Sequence, residues 1–148
     1  MQIAFDFPQC FCPGSIPEEN AEELRILLEC LVSSNLNFLR FHRVKPLYQA
    51  GVVYDRTTVW DPIPALYTRG YGDCKSLSAA RVAELRFAGK PAKPVFRWAT
   101  NPDGGTDYHI LVQTLQGWED PSKILGMLDQ ENSPHEGMEP PVRFSRVW

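Results

Sequence analysis

The stretch Gly70-Tyr71-Gly72-Asp73-Cys74 runs directly into a helix-forming segment, and this junction constrains the fold more than any other part of the chain. Glycines on both sides of Tyr71 free the backbone for a tight turn. From Cys74 to about Ala88 the chain is rich in Ala, Leu, Glu and Arg, all good helix formers. Leu77, Ala80, Leu85 and Ala88 fall roughly on one apolar face. Gly89 stands where a glycine ends a helix, and Pro91 opposes its continuation. Cys74 is thus expected in the first turn, where unpaired N–H groups and the macrodipole favour negative charge. A free thiol titrates near about 8.5, and helix N-termini or cationic neighbours bring it to roughly 3.5–7.5. The position suits a nucleophilic thiolate. A cysteine in a helix is also commonly a small buried hydrophobe, and the carboxylate of Asp73 disfavours a thiolate unless it points away.

The preceding chain reads as follows. Ile3, Phe5 and Phe7 alternate with polar or small residues and suggest a short strand stopped by Pro8. Pro13-Gly14 marks a turn. Ser15 and Glu18 have capping-box spacing, so a helix is expected from there to Ser33 or Leu36. Leu24, Leu27, Leu28, Leu31 and Val32 form its buried stripe, with Cys30 read as packing. Phe38, Leu39, Phe41 and Val44 fit either helix or strand. Val52, Val53 and Tyr54 suggest a short extended piece. Asp61-Pro62 and Ile63-Pro64 read as loop leading to the glycine turn.

After the Cys74 helix, strands are expected at Val95 to about Thr100, Tyr108 to Thr114 and Trp118 to Asp120. Asn101 to Gly105 makes the first turn between them. Ile124, Leu125, Met127 and Leu128 suggest a short helix or turn. Residues 129–148 read as an irregular tail, with Val142, Phe144, Val147 and Trp148 available to dock it. Helices followed by antiparallel strands give an α+β layout.

The 148 residues, 43% hydrophobic and 22% charged, suffice for one packed domain spanning 1–148. A net charge of -3 without a Lys/Arg run argues against nucleic-acid and polybasic membrane partners. No apolar run approaches the roughly 20 residues of a membrane span. No basic segment followed by an apolar stretch opens the chain, so a cytoplasmic location is the default expectation. Cys10, Cys12, Cys30 and Cys74 are too few and too unevenly spread for a disulfide framework. Cys10-Phe11-Cys12 is half a metal site at most, since His42, His109 and His135 stand apart and no second ligand pair has zinc-like spacing. Neither metal nor cofactor is expected.

A thiolate nucleophile needs a base and a group that holds the base. His109 is the candidate base, although a lone histidine among apolar strand residues is often structural. Asp120 sharpens the case. If Leu115-Gln116 alone connects the last two strands, Asp120 faces Leu111 and shares the face of His109, within diagonal reach of its imidazole. An odd-length loop would put it on the opposite face. In the even register Asp120 fixes the imidazole tautomer and leaves the other ring nitrogen for Cys74, provided the Cys74 helix packs across that sheet face.

These blocks resemble the transglutaminase-like superfamily. The resemblance rests on Gly72-Asp73-Cys74 at a helix start, the helix ending in Ala88-Gly89-Lys90-Pro91-Ala92-Lys93, the strand histidine, and Gly117-Trp118-Glu119-Asp120-Pro121. It spans about Tyr54 to Leu125. Leu111 replaces an aromatic residue common two positions after the histidine, and Lys90 replaces the usual Ile. The resemblance implies a papain-like α+β core, with a nucleophile-bearing helix packed on a small antiparallel sheet and preceded by an N-terminal helix. It implies acyl transfer on amide bonds of a protein or peptide substrate through a thioester. Cys74 would be the nucleophile, His109 the general base and Asp120 its orienter. The oxyanion hole would combine the Cys74 N–H with an upstream donor, Trp60 or Tyr54. Hydrolysis as a thiol peptidase or amidase is the first expectation. Cross-linking of glutamine to amines is the second, and a non-catalytic binding module on the same scaffold is the third.

Overall fold

The computed structural model describes residues 16–100, 102–128, 137–141 and 143–144. The expected strand at Ile3–Phe7 and the Cys10/Cys12 pair lie outside them, as do Val142, Val147 and Trp148 of the tail.

Helix α1 spans Pro17–Phe41. Its N-cap is Ile16, with no side-chain cap, and Pro17 opens the helix, where a missing N–H costs nothing. Ser15 of the expected capping box lies outside the described residues, and the helix begins at Pro17. It also continues past Asn35-Leu36-Asn37, because Asn35 lies on the buried stripe with Leu24, Leu28, Val32 and Leu39. The Ile63 N–H donates to Asn35 Oδ1 at 2.7 Å, so tertiary hydrogen bonding overrides Asn's weak helix propensity. Leu27 and Leu31 are only partly buried, and Cys30 is exposed. It sits two residues from both Leu28 and Val32, off the buried stripe, so the packing role expected for it does not hold.

A short 3-10 turn, Leu47–Gln49, leads to strand β1, Val53–Tyr54. Helix α2, Ile63–Arg69, occupies a stretch that reads as loop. Its prolines, Pro62 at the N-cap and Pro64 in the first turn, are tolerated where no intrahelical N–H bond is required. Ile63 and Leu66 anchor it in the core. Gly70 ends it in the left-handed region, φ 80°. Strand β2, Tyr71–Gly72, pairs parallel to β1, Val53 opposite Tyr71 and Tyr54 opposite Gly72.

Helix α3, Cys74–Phe87, is the central element. Ser76, Leu77, Ser78, Ala79, Ala80, Val82, Ala83 and Leu85 are all buried. This is wider than an amphipathic stripe, and the small residues let α1 and the sheet approach closely. Ala88, expected on the apolar face, is an exposed C-cap. Arg86 joins α3 to α1 through a bidentate pair with Glu29 at 2.7 and 2.9 Å.

The main sheet is antiparallel, in the order β5-β4-β3-β6, formed by β3 (Ala92–Thr100), β4 (Thr106–Thr114), β5 (Gly117–Glu119) and β6 (Gly137–Met138). β3 and β4 pair from Ala92 opposite Thr114 to Thr100 opposite Thr106. Phe96, Trp98, Ile110 and Val112 join the core cluster with α1 and α3, and Tyr108 packs against it. Arg97, His109 and Leu111 therefore face the other side. Helix α4, Pro121–Ile124, follows β5. The tail is not wholly irregular: β6 pairs with β3 at Arg97 and Trp98. Glu139 beside it is buried, accepts from the Phe96 N–H at 3.0 Å and pairs with Arg25. The chain is thus a mixed helix-and-sheet protein, and no helix among the described residues is long and apolar enough to cross a membrane.

Candidate active site

A two-residue connection, Leu115-Gln116, joins β4 to β5, with Thr114 opposite Gly117 and Val112 opposite Glu119. This is the even register, and extending it by one residue sets Asp120 opposite Leu111. The Asp120 carboxylate meets the imidazole: His109 Nε2 lies 2.9 Å from Asp120 Oδ2. The other oxygen, Oδ1, accepts the N–H groups of Ser122 at 3.1 Å and Lys123 at 3.2 Å, capping α4. One carboxylate thus holds the histidine and starts a helix. Burial pushes its pKa up, but the His109 hydrogen bond and charge, the Lys123 N–H and Arg97 together hold it below the ordinary carboxylate value.

Cys74 is the first residue of α3, as its sequence position implies. The helix does not pack across the face that bears His109. It packs on the opposite face, and its first two turns come up against the outer edge of β4, left open where β5 stops at Glu119. There the Ile110 N–H hydrogen-bonds the Cys74 sulfur and the Ile110 carbonyl accepts from Ser78 Oγ at 3.0 Å. Both backbone groups of the residue following His109 therefore serve α3 rather than a neighbouring strand. The thiol sits at the sheet edge beside the histidine's own backbone and within the field of Asp120.

The electrostatics reverse a sequence-based expectation. Instead of a thiolate favoured by the helix N-terminus, burial pushes the Cys74 thiol up to about 12, helped by Asp73 and Asp120 and opposed by the Ile110 N–H and Lys75. At neutral pH it rests as a thiol. Asp73 does not cap α3 with its side chain, and it pairs with Lys75, which also donates to the Thr57 carbonyl at 2.6 Å.

Of the two oxyanion candidates, Trp60 is the more firmly tied to the nucleophile's helix. Ser76 Oγ accepts the Asp61 N–H at 2.9 Å and donates to the Val59 carbonyl at 3.5 Å, so one hydroxyl two residues beyond Cys74 clasps the backbone on both sides of Trp60. Tyr54 is held through its backbone, opposite Gly72 in the parallel pair and with its N–H on the Leu125 carbonyl at 2.8 Å.

Two contributors were not found by sequence reasoning. Arg97 is directly opposite His109 in register and reaches Asp120 Oδ2 at 3.9 Å. The alternation of β3 exposes it once pairing is known, but the turn after Thr100 admits several registers. Ser76 carries no sequence signal of its own. Among the described residues no cluster of three or more His, Cys, Asp or Glu side chains has the arrangement of a metal site. No protein-family model, no curated protein and no solved structure matches this chain.

Proposed function

We propose that this protein is a thiol-dependent acyl-transfer enzyme, of papain or transglutaminase-like core, that hydrolyses amide bonds of a protein or peptide through a Cys74–His109–Asp120 triad. The observation that supports it most is the 2.9 Å contact between His109 and Asp120, on a strand whose next residue hydrogen-bonds the Cys74 sulfur. In this mechanism Asp120 engages Nε2 and leaves Nδ1 as the proton acceptor. Nδ1 takes the thiol proton as Sγ attacks the carbonyl carbon, and the carbonyl π pair moves to oxygen. The Cys74 N–H and Trp60 stabilise that oxyanion. The intermediate collapses, the C–N bond breaks and His109 returns the proton to the leaving amine. Water then adds to the thioester with His109 again as base, the C–S bond breaks and the thiol is reprotonated. A thiol that rests protonated fits general-base activation during attack better than a standing thiolate–imidazolium pair.

The test is acylation by p-nitrophenyl acetate followed by peptide mapping. Acyl groups on Cys74 that turn over in water, and that disappear in His109→Ala, are expected. Acylation confined to the exposed Cys30 would sink the proposal. A fluorescent amine added during turnover separates hydrolysis from transfer, and release of free acid is expected to dominate.

A further inference from the structure

We infer that a groove between the C-terminal ends of α1 and α3, remote in chain and chemistry from Cys74, binds an acidic peptide segment of a partner protein bearing an apolar side chain. The cavity has a volume of about 710 Å³, lined by residues 39–46 and by the last turns of α3 through Lys90. This is within the roughly 300–1,000 Å³ of ligand-binding clefts.

Its rim is cationic in a chain of net charge -3. Arg40, Arg43, Lys45 and Lys90 line it, all exposed, and among the described residues their side chains make no ion pair. By contrast Arg25, Arg69, Lys75, Arg86 and Arg97, outside the groove, and Arg81, within it, each meet a carboxylate. The groove's own carboxylate, Glu84, does not neutralise the rim. It accepts the Leu47 N–H at 2.6 Å and is shared with Tyr67 and Arg81. Unpaired cations concentrated around one cavity are the electrostatic complement of an acidic ligand.

The apolar part argues for a peptide over a nucleic acid. Phe41 is 76% exposed, Phe87 54% and Val44 38%, around a floor that includes buried Leu39 and Leu85. Such a floor suits a leucine or phenylalanine anchor flanked by carboxylates. The bounded cavity and the overall negative charge oppose a long polyanion tracking across the surface.

Selection of short peptides from a randomised phage-displayed library on the whole protein tests this. Enriched peptides are expected to be acidic with an aliphatic or aromatic residue. Their binding should weaken with salt and fall at least about tenfold in Arg43→Glu/Lys90→Glu. It should fall severalfold in Phe87→Ala and stay unchanged in Lys93→Glu, outside the groove. Should the double reversal fail to fold, Arg43→Gln/Lys90→Gln gives a smaller loss of the same sign. Any of four results overturns the inference: enrichment without acidic bias, binding indifferent to the groove variants, a single-stranded oligonucleotide binding more tightly than the peptides, or self-association of the protein through this face.

Discussion

The two ends of α3 handle charge in opposite ways. At the N-terminal end Lys75 closes on Asp73, Ser76 clasps the backbone around Trp60, and the Cys74 thiol is held neutral by burial. Beyond the C-terminal end Lys90, with Arg40, Arg43 and Lys45 at and just past the end of α1, stands exposed and, among the described residues, without an ion pair. An enclosed, locally balanced end suits chemistry in which charge exists only during a reaction. An open, unbalanced end suits standing attraction to an oppositely charged partner. One helix can serve both because a charge pair falls off steeply across the intervening distance in salt.

The contrast can be broken most severely at Asp120. Asp120→Asn keeps an acceptor for the α4 cap but withdraws the charge from His109, and acylation of Cys74 should fall roughly 10²–10⁴-fold while the fold persists. Because the Asp120 carboxyl titrates below its ordinary 3.8 in the folded chain, its contribution to stability is full above that value and is lost as pH falls through the folded pKa. Urea midpoints across the acid range should therefore be flatter in Asp120→Asn. Next in size, Ser76→Ala strands the buried Asp61 N–H and should cost about 1–3 kcal/mol, read from denaturant unfolding together with a change in tryptophan emission.

The pH profile of Cys74 sharpens the same contrast. With the thiol pushed up to about 12, alkylation of Cys74 in His109→Ala should keep climbing through the alkaline range. If His109 is the base proposed above, reaction in the parent chain should instead reach into the neutral range. Alkylation is best followed in Cys30→Ser, which removes an exposed competing thiol. The smallest effect belongs to the other end. Arg43→Glu/Lys90→Glu should move stability by no more than about 0.5 kcal/mol, as for exposed residues without partners.

Local pattern made α3, the β4–β5 hairpin and the face shared by His109 and Asp120 legible in the sequence. Helix period, strand alternation and a two-residue turn are decided within a few residues of one another. What was not legible came from contacts distant in the chain. The α1 extension depends on Asn35 receiving Ile63, 28 residues away, and β6 depends on Phe96 meeting Glu139, 43 residues away. Helix α2 was hidden for a different reason: Pro62 and Pro64 punctuate a loop and open a helix equally well. The sequence leaves open whether the helix N-terminus or burial decides the Cys74 thiol, because burial is set by the packing of the whole fold around it.

Gly137 has one further use. A Cβ built there would come within 2.1 Å of Trp98 Nε1, so the indole rests directly on that bare backbone. Lifting β6 away would change what surrounds this ring, making Trp98 a built-in optical reporter of whether the end of the chain is seated. With the other three tryptophans replaced by phenylalanine, its emission would follow seating in real time, without any label.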